Sequence, residues 1–203
     1  MRIFAMNHDA HAYTTCFYAA VSRQSVEVLP LDFSGSHLLR TVRKGDWLHF
    51  HWPSWMYYDS ARSSIRNWGE LARFTAILLA IRLRGGRIAW TAHNLYPHDQ
   101  GGYRIHRVGR LLMGRLSHLV LAHGPAAAAA IKREFGIPPR KLVTGLFGHW
   151  IDYYPKRVPV EAARSRLGLI RRAVRVRWRV PRKLRREYMR ASWEYQMAWV
   201  LSA

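Results

Sequence analysis

Residues 87–99 read RIAWTAHNLYPHD, and Gly85-Gly86 stand immediately before them. The run Ile88-Ala89-Trp90 is apolar at every position, as a strand covered on both faces of a parallel sheet must be. The glycine pair closes the helical pattern over Ala61–Arg84, because glycine takes the left-handed turn that ends a helix. Helix, glycine stop, buried strand and polar strand exit make one unit of an alternating β-α chain. The same unit repeats outward in both directions. Arg2–Met6 predicts a first strand, His11–Arg23 a helix carrying Tyr13, Phe17, Ala20 and Val21, and Val26–Leu31 a second strand. Asp46–Trp52 predicts a third strand stopped by Pro53. Downstream come a helix at Tyr103–Leu116, a strand at His118–Ala122, a helix at Pro125–Phe135 ended by Gly136, a strand at Lys141–Leu146 and a short helix at Pro159–Leu167. This order predicts an α/β fold, a Rossmann-like parallel sheet with helices on both faces.

In such a sheet ligands bind beyond the carboxyl ends of the strands. The exits carry Asn7, His8, Asp9 and His11 after the first strand, His51-Trp52-Pro53 after the third, His93-Asn94 after the fourth and Gly148-His149-Trp150 after the last. His49 and His51 are two apart on a strand and so share a face. They read either as a metal pair or as part of an aromatic platform with Trp52, Trp55, Tyr57 and Tyr58. No third ligand pattern accompanies the pair, and no metal is expected. Flat aromatic faces suit sugar rings or lipid headgroups. His93 reads either as a ligand-facing group or as a histidine satisfying loop backbone.

The 203 residues hold 33 Lys+Arg against 12 Asp+Glu, a formal charge of +21, with 49% hydrophobic residues. That is globular composition, and the basic surplus implies a polyanionic partner surface. Arg62, Arg66, Arg73 and Arg84 fall within about 40° of one another on a helical wheel, opposite Trp68, Leu71, Leu78 and Leu79. The stripe, with Arg104, Arg107, Arg110 and Arg115 on a later helix, reads as a face for anionic lipid. A lone cysteine, Cys16, excludes disulfide scaffolds and Cys-based zinc sites. No signal peptide is visible, and the longest apolar stretch, Phe74–Leu83, is too short to span a bilayer. No helix-turn-helix, RNP-like aromatic pair, P-loop or serine nucleophile elbow is present. Nucleic acid is not the expected partner, although charge alone keeps a basic nucleic-acid-binding protein as an alternative.

The ordered series GDWLHFHWP, RIAWTAHNLYPHD, LSHLVLAHGPAAAAAIKREFG, KLVTGLFGHWIDYYP and EAARSRLGL resembles the N-terminal half of GT-B glycosyltransferases of the retaining GT4-like group, which build bacterial exopolysaccharides and glycolipids. The resemblance covers roughly residues 1–169. It implies an acceptor-side Rossmann-like domain facing a cleft whose other wall, the donor domain, grips a nucleotide-sugar such as GDP-mannose or a UDP-sugar. No resident cofactor is implied. His93 matches the histidine that approaches the donor sugar, and Asn94 accompanies it. Gly148 and His149 match a cleft-lining loop, in reversed order. His51, Trp52 and Pro53 match an acceptor-side segment, with His8 and His11 on the acceptor side as well. The residues after the first strand depart from the family pattern, which leaves the acceptor class open. Lipid-linked glycan as acceptor and the inner face of the bacterial cytoplasmic membrane as the place of action are further implications.

Domains are expected at 1–169 and 170–203. From Ile170 to Arg190 there are ten basic residues and one acid, where the family would begin its donor domain. That Arg-rich stretch, irregular or helical, reads as a truncated or out-of-frame tail. The chain alone is then an inactive fragment, or else the acceptor-binding subunit of a split transferase with a separate donor-domain polypeptide. An offset reading frame downstream of codon 169 encoding a donor domain is the expected genomic signature of the first case.

Overall fold

A computed structural model of the chain describes residues 1–6, 11–97, 101–145 and residue 162. By contacts the chain divides into two compact units, Met1–Tyr154 and Pro155–Ala203, and the fold set out below is that of the first. The expected helix at Pro159–Leu167, apart from residue 162, and the Arg-rich tail lie outside the described residues, as do the exits holding His8, Gly148 and His149.

The elements are β1 (Arg2–Ala5), α1 (Ala12–Ser22), β2 (Glu27–Pro30), α2 (Gly35–Thr41), β3 (Trp47–Phe50), α3 (Ser64–Leu83), β4 (Arg87–Ala92), α4 (Tyr103–Leu116), β5 (Leu119–His123), α5 (Pro125–Phe135) and β6 (Leu142–Gly145). Short 3-10 turns cover Pro53–Met56 and Pro139–Lys141. The six strands form one sheet in the order β2-β1-β3-β4-β5-β6, and every pairing is parallel. The protein is thus a Rossmann-like α/β structure with helices on both faces of its sheet.

Strand period decides what each face holds. Phe4, Leu48, Phe50, Ile88, Trp90, Val120 and Ala122 form one cluster with Leu38 of α2, Leu71, Phe74 and Leu78 of α3, Ile105 and Met113 of α4, and Ile131 and Phe135 of α5. The alternate residues face α1: Phe17 and Val21 line a cavity of about 360 Å³ together with Ile3, Trp47, His49, Ala89, Leu119 and Leu121. Among the described residues α1 is the helix on that second face.

Local chemistry places the ends. Gly85 turns the chain out of α3 at a φ of 83°, and its neighbour Gly86 lies so close to Ile81 that a Cβ would fall 2.6 Å from Ile81 Cγ2. Ser63 caps α3 by accepting from the Arg66 N–H. The buried Asn67 amide donates to the Asp59 carbonyl at 3.0 Å and accepts from its N–H at 3.3 Å, tying the loop before α3 to the helix. Arg2 and Asp46 join the starts of β1 and β3 through Nε–Oδ1 and Nη2–Oδ2 contacts of 3.1 and 2.5 Å. Burial alone would raise the Asp46 pKa, but the Arg2 guanidinium and the Arg43 N–H hold it below the ordinary carboxylate value.

Two sequence expectations are corrected here. On α3 the core face is Asn67, Leu71, Phe74, Leu78 and Ile81, whereas Trp68 and Leu79 are 41% and 45% exposed. Both lie outside the buried face, because the helix buries the arc centred between Phe74 and Asn67. On α4, Arg110 is buried at 3% exposure, with its guanidinium carbon 5.2 Å from the Trp90 ring centroid. It belongs to the core and not to a lipid-facing stripe.

Glycines on the two long helices give opposite expectations. An Ala normally stabilises a helix interior by about 1 kcal/mol over Gly. At Gly69 on α3 an added methyl would meet nothing within 4 Å, so Gly69→Ala should gain that amount. At Gly109 on α4 the same methyl would overlap the Tyr57 hydroxyl and ring, so Gly109→Ala should lose about 1–3 kcal/mol. Urea unfolding of the two variants checks the pair of signs.

Candidate functional site

The side chains that face α1 change character along the strands, from apolar at the amino ends to imidazole at the carboxyl ends. β3 contributes His49 and the next outward residue His51, β4 Thr91 and then His93, and β5 His123. The β4–β5 ladder sets Thr91 against Leu121 and Ala92 against Ala122, which carries His93 level with His123. From above, Tyr13 and Phe17 are one helical turn apart on α1, and their rings stack at 5.9 Å. Tyr18 follows Phe17 and turns its hydroxyl to the histidines.

The result is a continuous hydrogen-bonded row. His49 Nε2 meets Thr91 Oγ1 at 2.8 Å, and His49 Nδ1 meets the Tyr18 hydroxyl at 2.7 Å. The same hydroxyl reaches His51 Nε2 at 2.8 Å. His51 Nδ1 meets His93 Nε2 at 3.0 Å, and His93 Nδ1 meets His123 Nε2 at 3.1 Å. Thr91 bonds onward to the Tyr13 hydroxyl. The Tyr13 ring presents its edge or face at near right angles to His51, His93 and His123, with centroids 5.6, 5.0 and 5.5 Å away.

Burial sets the protonation of the row. Desolvation lowers His49 to about 4 and His93 to about 3. It lowers His51 further still, with the neighbouring imidazoles His49, His93 and His123 adding to the effect. His123, half-buried, is lowered by desolvation as well. Burial raises the Tyr13 phenol to about 12 and pushes Tyr18 higher. At neutral pH the row therefore carries no net charge.

At the rim the row continues into an aromatic stack. Trp52 lies parallel to His93, with 4.9 Å between centroids and 10° between planes. Trp55 stacks on Trp52 at 5.3 Å and 18° and is 57% exposed. His11, exposed at the start of α1, meets Trp52 edge-on at 5.3 Å. Thus His11, His51, Trp52 and His93, all singled out in the sequence, come together, and Asn94 follows His93 in the same exit. Tyr57 does not join them. It is fully buried in the core on the opposite face, because the 3-10 turn at Pro53–Met56 folds it inward. Tyr58 packs on His106 at 4.3 Å. Arg62, Arg66, Arg73 and Arg84 are exposed on or beside α3, with Arg62 paired to Asp59 and Arg73 to Glu70 at 3.3 and 2.8 Å.

His123, Tyr13 and Tyr18 are site members that the motif reading did not select. The available signal for His123 was its position, since Leu119–His123 ends on a histidine just as Ala92 leads to His93. No group of three His, Cys, Asp or Glu among the described residues could hold a metal ion. The geometry gives the reason: His93 spends its two nitrogens on two different neighbours, so no three lone pairs converge.

No protein-family model matches this chain, and no curated protein matches it. What the fold and site define is a Rossmann-like α/β domain with a neutral, aromatic-rimmed mouth at its strand ends.

The neutral row carries a pH signature. An unfolded histidine titrates near 6.5, and these titrate lower when folded. The folded state therefore binds fewer protons than the unfolded chain below that value. The stabilising difference is complete above pH 6.5 and is lost as pH falls toward 4 and 3, the folded values of His49 and His93. Each histidine contributes a slope of up to about 1.4 kcal/mol per pH unit. Urea unfolding between pH 7 and 5, a range above most carboxylates, should show stability falling steeply. In His49→Gln the slope should shrink by one histidine's share, whatever the variant's absolute stability.

Proposed function

We propose that this domain is the acceptor-side half of a GT-B glycosyltransferase that moves a hexose, mannose by resemblance, from a nucleotide-sugar to a lipid-linked or glycan acceptor. The observation that carries the reading is the stack of His93, Trp52 and Trp55 at the strand ends. A pyranose ring offers an apolar face that suits indole, and hydroxyls that suit imidazole nitrogens. An uncharged mouth fits a neutral sugar. The resemblance assigns His93 and Asn94 to the reacting sugar and His11, His51 and Trp52 to the acceptor. On this reading the hydrogen-bonded row fixes the His93 ring beneath Trp52, and fixed neutral dipoles need no reorganisation as charge develops on the sugar.

The leaving diphosphate needs cationic or helix-terminus groups, which the family takes from its second domain. The purified chain is therefore expected to form no product from a radiolabelled nucleotide-sugar and a lipid-linked acceptor.

A membrane surface as partner has its own support. No helix among the described residues is long and apolar enough to cross a membrane. The outward side of α3, however, exposes Ile65 at 87%, Trp68 at 41%, Leu79 at 45% and Leu83 at 87%. Arg62, Arg66, Arg73 and Arg84 run alongside. An exposed apolar stripe flanked by arginines suits the headgroup region of an anionic leaflet.

Two measurements test the proposal. Titration with methyl mannoside should shift the Trp52 and Trp55 indole N–H resonances, and Trp52→Ala should abolish binding. Absence of any indole shift at high sugar concentration would remove the sugar reading. In co-sedimentation, anionic but not neutral vesicles should carry the chain down. Arg66→Gln and Arg73→Gln should each weaken partition about fivefold, the equivalent of about 1 kcal/mol per basic residue.

A further inference from the structure

Arg110 stands on α4 and faces the core at 3% exposure, with its guanidinium carbon 5.2 Å from the centroid of the Trp90 ring on β4. Its Nε and Nη1 are both buried, and neither has a hydrogen-bond partner. No carboxylate among the described residues pairs with it. Glu134 on the neighbouring α5 is engaged elsewhere: it accepts from the Tyr96 hydroxyl and lies 3.9 Å from Arg107 Nε. Burial lowers the Arg110 pKa, yet a guanidinium keeps its proton inside a protein. A full positive charge therefore stands in the core without a counter-ion. The contact with Trp90 offsets part of that cost and leaves the N–H groups unmet.

Two more buried groups around it are in the same condition. Tyr57 is fully buried and holds its hydroxyl against Gly109, the residue before Arg110, where a Cβ would fall 2.3 Å from that oxygen. The hydroxyl has no hydrogen-bond partner, and neither has Trp90 Nε1. Tyr57 and Arg110 also act on each other through their charges, each opposing the pKa change that burial imposes on the other. Nε of arginine carries one N–H and Nη1 two, while the phenol and the indole carry one donor each. The single acceptor in this set is the Tyr57 oxygen. A water brings as many donors as acceptors and no charge, so it leaves both the donor surplus and the unpaired cation in place. An anion brings acceptors alone together with the missing charge.

We propose that Arg110, with the Tyr57 hydroxyl and the Trp90 indole beside it, forms a buried site for a small monoatomic anion of the halide class. Packing sets the size of the ligand. Tyr57 already touches α4 at Gly109, and Trp90 is backed by Phe135 at 6.1 Å between centroids. A phosphate or sulfate would have to displace one of these rings, whereas a halide takes little more than the space of one water. The ion binds the folded chain, in which the donors are brought together, and so acts as a ligand for stability. The inference does not depend on sugar transfer, because the site lies on the core side of the sheet and uses none of the residues assigned to the sugar.

The test uses the full-length chain with chloride as the probe, gluconate replacing chloride so that ionic strength stays fixed. In urea unfolding, each tenfold rise in chloride above its dissociation constant should raise the folding equilibrium constant about tenfold. Arg110→Met, which keeps an unbranched apolar stem without the charge, should show no chloride dependence. An equal effect in this variant assigns it to the surface arginines and overturns the proposal. Absence of any chloride effect in the wild type overturns it too and leaves the donors to water. If Arg110→Met does not fold, 15N–1H correlation of the arginine Nε–H groups in the wild type decides. The Arg110 signal, assigned through its nuclear Overhauser effect to the Trp90 ring, should move saturably with chloride and stay still with sulfate. A signal that ignores chloride, or follows sulfate equally, overturns the site. Tyr57→Phe removes one donor and should weaken chloride binding about fivefold, the share of one hydrogen bond. An unchanged affinity overturns the place of the hydroxyl in the site. Failure of the chloride tests leaves the sugar reading in place, since that reading is decided at Trp52 and Trp55.

Discussion

The structure depends on strand parity. In a parallel sheet the side-chain period is two, so a slip of one residue exchanges the faces. The residues 49, 51, 91, 93 and 123 are all odd and all fall on the α1 side. The even residues Leu48, Phe50, Ile88, Trp90, Val120 and Ala122 fall on the side of the main core. A slip in β3 alone would drive two imidazoles into an apolar cluster and expose Leu48 and Phe50, each of which is fully buried. The apolar core therefore holds the imidazole row in register as well as stabilising the fold. At about 25 cal/mol per Å² of apolar area removed from water, the aromatic and aliphatic side chains on the even positions dominate that choice.

Burying five polar side chains on one face is tolerable because they satisfy one another. An unmet buried donor or acceptor costs about 1–3 kcal/mol. Within the row the internal nitrogens of His49, His51 and His93 and the Tyr18 hydroxyl all have partners between 2.7 and 3.1 Å. The same satisfaction removes freedom. His49, His51 and His93 are each locked between two neighbours, with Tyr13 and Phe17 packed on their edges and faces. Such a site is preorganised, and a ligand does not have to order it.

The βα alternation was legible because each strand is a short apolar run closed by glycine, proline or a polar exit. Tyr103–Leu116 has its expected limits, and Pro125–Phe135 has those that Pro125 and Gly136 predict. Asp46 and His51-Trp52, expected within β3, lie outside it: Asp46 turns its carboxylate to Arg2 and the Arg43 N–H, and Trp52 opens the 3-10 turn at Pro53. Helix α2, GSHLLRT, was not legible, since seven residues beginning with glycine give too little periodicity. His51, Trp52 and His93 were legible as strand exits. Tyr18 was not, because helical spacing singled out Tyr13, Phe17 and Val21. A hydroxyl bridging two histidines of a distant strand leaves no pattern in the helix that carries it.

Charge and site are separated in this molecule in a way composition alone does not reveal. The chain has a formal charge of +21, yet its mouth holds no net charge. His93 is lowered mainly by desolvation, then by the neighbouring imidazoles His123 and His49, and least by Arg110, which lies buried against the Trp90 ring on the other side of the sheet. Desolvation is the first cause at every histidine of the row, so burial on this face, more than any one charge, keeps the imidazoles neutral. The exposed arginines on α3 act at the surface, where screening confines them to about a Debye length. An exposed set of arginines and an uncharged, buried row of imidazoles thus stand on one small domain, the first screened by solvent and the second shielded by burial.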